Sequence, residues 1–492
     1  MAPDKAFVLR ALLQHNYLPV QKKDREELPP IFKTTSFSIA AAKKLAGQGA
    51  KRRSPELGWD VVDYKSTKFN SIPRLLSIPH PTPHSFLSLC IEENWENLKY
   101  TAHNEISLVR PREHADGRLV IMDYDRSLKK ITNSAKLAFG KRFAVHTDIS
   151  NCFPSVYSHA IPWATVGFSH AKKNRAPTEW FNKLDKYIRW TKRNETQGIA
   201  IGPATSNIVS EAILARVDKK LATDGFEYVR YIDDYKAYCQ SEDCAQEFIR
   251  KLADELAKFK LLLNIKKTSV NSLPQPTSDE WIVDLASSRP SRSTVEQYDA
   301  HDFLERAVLI ARKNPEGSVL KYALKTLLSR KFELGVADSL LPRVLELTFH
   351  QPALLPLLER FFNRAFKTKR FLYGHSLHAL ASENSKLRRS DGMCWSLYYL
   401  NLYKVPVETE LADSVLHTRD CLSLLLLYLS GLEAHRDWVI DFAKGLDWSD
   451  HYELDQYWIL LYQLFLDGHI GNPYADEDAF EVLKSEGVNF TK

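Results

Sequence analysis

The sequence lacks the cysteine patterns that would mark a secreted or zinc-stabilised module. Its six cysteines, Cys90, Cys152, Cys239, Cys244, Cys394 and Cys421, form no Cys-x-x-Cys pair and no Cys/His spacing suited to structural zinc. Free thiols in a reducing compartment are the expectation. Long apolar runs are also missing. The longest, CLSLLLLYLSGL at 421–432, is too short to span a bilayer and reads as a buried helix. The N-terminal MAPDKAFVLRALLQHNY has no apolar core of a signal peptide. A cytoplasmic protein without membrane contact is therefore expected. A strong charge excess is absent too: 67 Lys and Arg against 61 Asp and Glu leave +6, which permits nucleic-acid contact without demanding it. What remains is an ordinary globular composition, 44% hydrophobic and 26% charged, over 492 residues, enough for two or three domains.

Three regions differ in pattern. Residues 1–100 are punctuated by proline (REELPPIFKT, SIPRLLSIPHPTPHS) around a basic AAKKLAGQGAKRRS, and read as an irregular, partly mobile extension. Between 101 and 290, strand-like and helix-like runs alternate without repeated βα units, which predicts an α+β domain. GRLVIMDY and KRFAVHTDIS read as strands, PATSNIVSEAILARVDKKLA as a helix, and FEYVRYIDDYKAYC as two strands around a tight turn. SEDCAQEFIRKLADELAKF reads as a helix capped by Ser241. From 291 to 492 helix follows helix, and a HEAT-like helical-repeat domain or an ordinary helical bundle fits.

Within YVRYIDDYKAYC (228–239) two adjacent acids, Asp233 and Asp234, interrupt a run of Val, Ile and Tyr. Clustered carboxylates in a half-buried hairpin need a compensating charge. A further acid, Asp148 in RFAVHTDISNCFPSVY, ends an upstream apolar strand. Three carboxylates at strand ends supply the hard oxygen ligands that select Mg2+ or Mn2+, and a pair of such ions is a centre for phosphoryl chemistry. A solvated Asp-Asp turn is the plainer alternative for the tetrapeptide alone.

Context favours chemistry. HTDISNCF, TQGIAIGPATSNIVSEAIL, YIDD and LLLNIKKTSV, in this order, resemble the motifs of the reverse-transcriptase palm. The resemblance implies a fingers/palm fold and transfer of deoxynucleotides with two Mg2+ ions, Mn2+ being possible. It makes Asp148 and Asp233 ligands of both metals, Asp234 a secondary ligand or orienter, and the Ile149 carbonyl a further ligand. Phe153 would exclude a 2′-hydroxyl, and Gln197 and Gly198 would line the nucleotide. Lys267, or its neighbour Lys266, would face the leaving pyrophosphate. Arg118 would grip the triphosphate, with Arg110 and Arg112 as alternatives.

The flanks narrow the likeness. DISNCFPSVYSHAIPWA, AKKNR, LPPIF, RLLSIPHP and the long helical C-terminus are similar to the abortive-infection (Abi) polymerases of bacterial phage defence, in their shorter, prophage-borne form. No RNase H or integrase pattern and no basic thumb helix follow the palm, so a duplex clamp is not expected. The resemblance implies untemplated synthesis of single-stranded DNA joined to a hydroxyl of the chain itself, with dNTPs as substrates, a homo-oligomeric assembly and a phage protein as trigger. Tyr17, in LLQHNYLPVQKKD, is expected to be an exposed acceptor, with Tyr64, the hydroxyls of KTTSFS and Tyr474 as rivals. LERFFNRAFKTKRFLYGH (358–375) either stacks on a single strand or is an amphipathic helix with a solvated edge. A conventional templated enzyme of retron or intron type, and a catalytically silent scaffold, are the competing functions.

Overall fold

The computed structural model describes every residue except 1, 55, 69–71, 124–127, 366–372, 431 and 492, and the backbone alone at 128–130. Its centre is a four-stranded antiparallel sheet in the order β4-β5-β3-β6. The strands are β3 (Phe143–Asp148), β4 (Glu227–Tyr231), β5 (Asp234–Cys239) and β6 (Ser269–Ser272). β4 and β5 form the expected hairpin, and β3 lies antiparallel between β5 and β6.

Two helices pack on this sheet where the sequence places them. Ala204–Thr223 begins after Pro203 and is buried along most of its length. Glu242–Lys258 starts at Ser241, whose hydroxyl accepts the Cys244 N–H at 3.2 Å, with Glu242 and Asp243 in the first turn favouring the helix dipole. Phe248 from this helix meets Tyr228 of β4 at 5.4 Å between ring centroids. The α+β reading of this region holds.

Residues 1–100 are irregular only in part, at 15–38, 47–54 and 56–60. Helix Lys5–Gln14 is capped by Asp4, and helix Ile39–Ala46, inside the stretch expected to be mobile, is capped by Ser38. A hairpin of β1 (Val61–Ser66) and β2 (Arg74–Pro79) follows, then helix Pro81–Glu93. Proline punctuation marked the breaks, but it could not show that these short elements take their core from the far end of the chain. One hydrophobic cluster joins Tyr17, Phe37, Val62, Tyr64 and Ile78 to residues from Leu285 to Phe490. A second joins Val8, Leu12 and Leu87 to the palm. The expected boundaries at 100 and 290 therefore fall inside shared cores.

Arg53, in the basic stretch, shows the same dependence. It is fully buried and pairs bidentately with Asp455, at 2.8 Å on both nitrogens, and with Glu477. GRLVIMDY is likewise no strand among its described residues. Leu119 and Val120 are buried, but their N–H groups go to the side-chain oxygen of Asn16 at 2.7 and 3.1 Å rather than to a ladder.

The C-terminal region is helical, with Gly374–Lys386 against Ser390–Leu402 and Cys421–Leu429 against Trp458–Leu466. One two-residue parallel pair, Thr294–Val295 with Lys331–Phe332, interrupts the all-α pattern. The large aromatic and aliphatic residues of this region are largely interior. In LERFFNRAFKTKRFLYGH, Phe361 and Phe362 are buried and cannot stack on bases, while 366–372 lie outside the described residues.

Candidate active site

The hairpin register sets the site. Asp148, last residue of β3, is the cross-strand partner of Asp234, first residue of β5. Such partners hold their Cβ atoms about 4.5–5.5 Å apart. Tyr231 pairs with Asp234, so Ile232 and Asp233 form the turn between β4 and β5. Ile232 has φ 59°, a left-handed conformation that costs a β-branched residue about 1–3 kcal/mol. Two hydrogen bonds hold it there: Arg230 Nη1 donates to the Ile232 carbonyl at 2.7 Å, and the Ile149 N–H donates to the Asp233 carbonyl at 3.1 Å.

Arg230 is itself fully buried, and two carboxylates keep it charged. Its nitrogens reach Asp218 Oδ1 at 3.2 Å and Glu211 at 2.8 and 3.1 Å. Asn104, Ser107 and Tyr228 occupy the remaining oxygen positions of these acids. Sequence reasoning missed this network. Its signal was present: Glu211 and Asp218 lie about two turns apart on one face of an otherwise buried helix, opposite an arginine in a strand.

Lys267 is the cation bonded to the aspartate cluster. Asp148 is buried, its Oδ2 accepts Lys267 Nζ at 2.7 Å, and its Oδ1 is buried without a partner. Burial raises the Asp233 pKa, while the nearby Arg74 opposes the rise. Asp234 opens onto a cavity, but protein surrounds its other sides. This desolvation, with the charges of Asp233 and Asp148, pushes its carboxyl up to about 6. The bond to Asp148 raises the Lys267 pKa in turn. An all-oxygen donor set with an unpartnered buried atom fits a hard divalent cation.

The aspartate oxygens are not drawn onto a single point. Among the described residues, the one set of three candidate ligands within 4.8 Å of each other is His451, Asp476 and Glu477. There, however, Glu477 already accepts from Arg53 and Trp59, and His451 is bonded to Asp476 at 2.9 Å.

A cavity of about 880 Å³ opens in front of the carboxylates, lined by Asp148, Asp234, Lys267, Lys236, Arg110 and Arg112. A smaller one, about 60 Å³, is lined by Phe153, Ile232, Gly202, Asn207 and Arg74. Phe153 thus shares this cavity with Ile232 of the hairpin turn. Gln197 Nε2 donates to the Pro154 carbonyl at 3.3 Å, and Gly198, at φ 85°, donates its N–H to the Val156 carbonyl at 2.8 Å. A Cβ at Gly198 would sit 3.1 Å from the Pro154 carbonyl oxygen, so glycine lets the two segments meet. Of the lysine pair, Lys267 is the one that reaches Asp148.

Two expectations fail. Arg118 is buried and fully engaged, donating to the carbonyls of Val20, Lys22 and Lys23 and to Asp116 at 2.6–2.8 Å. It staples the N-terminal segment and cannot grip a triphosphate. Tyr17 is not exposed either. Its hydroxyl donates to the Pro79 carbonyl and its ring stacks on His84 at 4.0 Å. The amphipathic stretch before it packs inward, so the polar run after it does not carry Tyr17 to the surface. Tyr64 and Tyr474 are buried as well, and in KTTSFS Thr34 is buried and Thr35 is exposed.

The cations missed in the sequence are Lys68 and Arg74, at the two ends of the β1–β2 connection. Their fields reach Asp233, and Lys68 has its pKa lowered by desolvation and by Arg74 and Lys267. Two basic residues flanking a strand-loop-strand were the available signal, hidden by the irregular reading of 1–100.

Residues 96–299 match the family model described as reverse transcriptase (RNA-dependent DNA polymerase), so this part of the chain is a reverse-transcriptase domain, a polymerase of the nucleotidyltransferase kind. Three solved structures show partial similarity to the chain. Apo telomerase from Candida tropicalis matches at 13% identity over 79% of this chain and 69% of that one, TM-score 0.32. Its form truncated from the C-terminal domain matches at 14% over 46% of this chain, TM-score 0.30, and the match spans about half, 53%, of that protein's length. Candida albicans telomerase with a fragment of telomeric RNA matches at 10% over 81% and 68%, TM-score 0.30. None of the curated proteins compared matches the chain. Among the described residues no helix is long and apolar enough to cross a membrane.

Proposed function

We propose that the chain is a DNA polymerase of the Abi type, acting in phage defence, that joins deoxynucleotides without a template, starting from a hydroxyl of the protein. The observation that carries the chemistry is the unpartnered buried Oδ1 of Asp148, beside Asp233 and Asp234, with Lys267 bonded to the other oxygen. Asp148, Asp233, Asp234 and the Ile149 carbonyl would hold two Mg2+ or Mn2+ ions, which when bound supply the charge that activates the acceptor hydroxyl and steadies the leaving oxygen. Lys68 and Arg74 are placed to take the triphosphate, Phe153 to close the pocket against a 2′-hydroxyl, and Lys267 to donate a proton to the departing pyrophosphate.

The untemplated reading rests on the helix that succeeds the palm. Gln297–Lys313 carries Asp299, Asp302 and Glu305 among Arg306, Arg312 and Lys313, and so makes no cationic clamp for a duplex. Against it stands the cavity with Arg110, Arg112 and Lys236, which favours a bound strand and a templated enzyme. Tyr17, Tyr64 and Tyr474 are too buried to accept the first nucleotide.

The test is purified protein with dNTPs and Mg2+. Wild type makes DNA that stays with the protein in denaturing gels, and Asp233→Ala makes none. Equal yields from both overturn the assignment of the site; product complementary to an added RNA overturns the untemplated reading.

A further inference from the structure

The C-terminal helices reach the proposed nucleotide site through one carboxylate. Strand β1 has an edge that β2 does not cover, and the helical region closes it. The Lys65 N–H donates to Ser390 Oγ at 2.9 Å, and the Thr67 N–H to Asp391 Oδ2 at 2.7 Å. Thr67 Oγ1 donates to Asp391 Oδ1, also at 2.7 Å, so the carboxylate grips one residue twice. Asp391 lies in the first turn of helix Ser390–Leu402, where the helix dipole favours a negative charge, and its Oδ1 also accepts the Gly392 N–H at 2.8 Å. Ser390 Oγ donates onward to Asp420, which caps helix Cys421–Leu429. Asp391 is 6% exposed. A buried carboxylate costs free energy unless it is bonded, and all the bonds found for this one go to its own helix start and to Thr67.

Thr67 is the residue before Lys68, and the connection ends at Arg74, the first residue of β2. Arg74 lines the small cavity together with Ser66, Phe153 and Ile232, and both cations, like Lys267, interact electrostatically with Asp233. The β1 end that Asp391 holds is therefore the base from which Lys68 reaches the carboxylates. The palm holds the hairpin on its other strand, where the Ser77 N–H of β2 donates to the Ile201 carbonyl at 2.7 Å, while β1 pairs only with β2 in the sheet topology of the described residues.

We propose that Asp391 is a positioning residue for the nucleotide: by fixing Thr67 it sets Lys68, and with it the triphosphate grip, over the metal carboxylates from the opposite half of the chain. The proposal rests on reading the site as one of nucleotidyl transfer. Asp391 touches no reacting atom. Its effect falls on substrate binding rather than on the bond-making step, because Asp148, Asp233 and Lys267 belong to the other core.

The experiment measures dNTP incorporation at saturating Mg2+ by wild type, Asp391→Ala, Asp391→Asn, Thr67→Val, Lys68→Ala and the Asp391→Ala/Lys68→Ala double variant. Amide hydrogen exchange at Lys65 and Thr67 is followed on the same samples. Asp391→Ala raises KM for dNTP about tenfold with kcat changed less than about threefold, and exchange at Thr67 speeds up. Asp391→Asn, which keeps one acceptor oxygen, recovers part of the KM. Thr67→Val leaves the core intact and raises KM by about threefold, so it reports even if Asp391→Ala folds poorly. The double variant is no worse than the worse single one, since both remove one grip.

An unchanged KM in Thr67→Val and Asp391→Asn overturns the proposal, as does a double variant whose losses multiply. Wild type that incorporates no nucleotide, with Thr67 still protected from exchange in an Asp391-dependent manner, overturns the reading of the site and leaves Asp391 a structural staple only.

Discussion

Replacing Asp234 by asparagine should stabilise the metal-free protein. The Asp234 carboxyl is displaced from an ordinary 3.8 to about 6 by desolvation and by Asp233 and Asp148, so folding works against its ionisation. Two units at about 1.4 kcal/mol each give roughly 3 kcal/mol. Asp234 opens onto the cavity, where water screens it, and halving the figure leaves about 1–1.5 kcal/mol. The sign comes from proton counting. Between pH 4 and 6 the folded protein holds a proton that the unfolded chain has lost, so wild-type stability falls as pH rises through that window. Asparagine carries no such penalty. In urea unfolding with EDTA, the variant should match wild type near pH 4 and exceed it by about 1–1.5 kcal/mol at pH 8. Magnesium then narrows the difference, because binding at about ten times Kd adds about 1.4 kcal/mol to wild type and less to a variant missing a ligand. A variant no more stable than wild type at pH 8 in EDTA refutes the claim that these carboxylates repel one another in the folded state.

Arg74→Ala should raise KM for dNTP about tenfold, the loss of one charge-assisted contact, in steady-state incorporation assays; an unchanged KM removes Arg74 from the triphosphate site. Phe153→Ala should admit ribonucleotides, read as the ratio of kcat/KM for dCTP and CTP falling by about tenfold or more, and an unaltered ratio shows that Phe153 is only a core residue. Arg230→Met leaves Glu211 and Asp218 buried without their cation and should cost about 3–5 kcal/mol in urea unfolding. A loss under about 1 kcal/mol would mean that water enters the network and replaces the guanidinium.

The palm was legible because its signals are local. A two-residue turn between alternating strands, an Asp at a strand end and a glycine at φ 85° each leave their mark within a few residues. The register that sets Asp148 opposite Asp234 then comes from pairing β3 with β5. The N-terminal region was illegible for the opposite reason. Tyr17 looks amphipathic and free in its own sequence, yet its ring packs near Trp458 and Phe490, at the other end of the chain. Arg118 reads like any arginine beside a strand, and only the fold shows its donors pointed at three backbone carbonyls. Arg53 sits in a run that reads as solvated, and its partners Asp455 and Glu477 give no sign of it at their own positions.

The distribution of the site between the two cores has a consequence for how it works. Asp148, Asp233 and Lys267 sit on strands and turns of the palm core, which also contains Phe153. Lys68 and Arg74 belong to a hairpin whose Val62, Tyr64, Leu76 and Ile78 are packed into the C-terminal helices. On the proposed reading, the metal ligands and the triphosphate cations are thus carried by different bodies of side chains, meeting at a cavity that Phe153, Ile232 and Arg74 share. Rigidity is required on each side for different reasons. Like charges must be held together in the palm, and the Arg230 network does this from beneath the turn. The connection between β1 and β2 must be aimed from the hairpin, and buried hydrogen bonds from the helices do that. A site divided in this way can lose nucleotide affinity through substitutions far from the aspartates in sequence while the carboxylate geometry stays intact. If Asp391 positions Lys68 as proposed, the helical region serves substrate binding as the palm serves the chemistry.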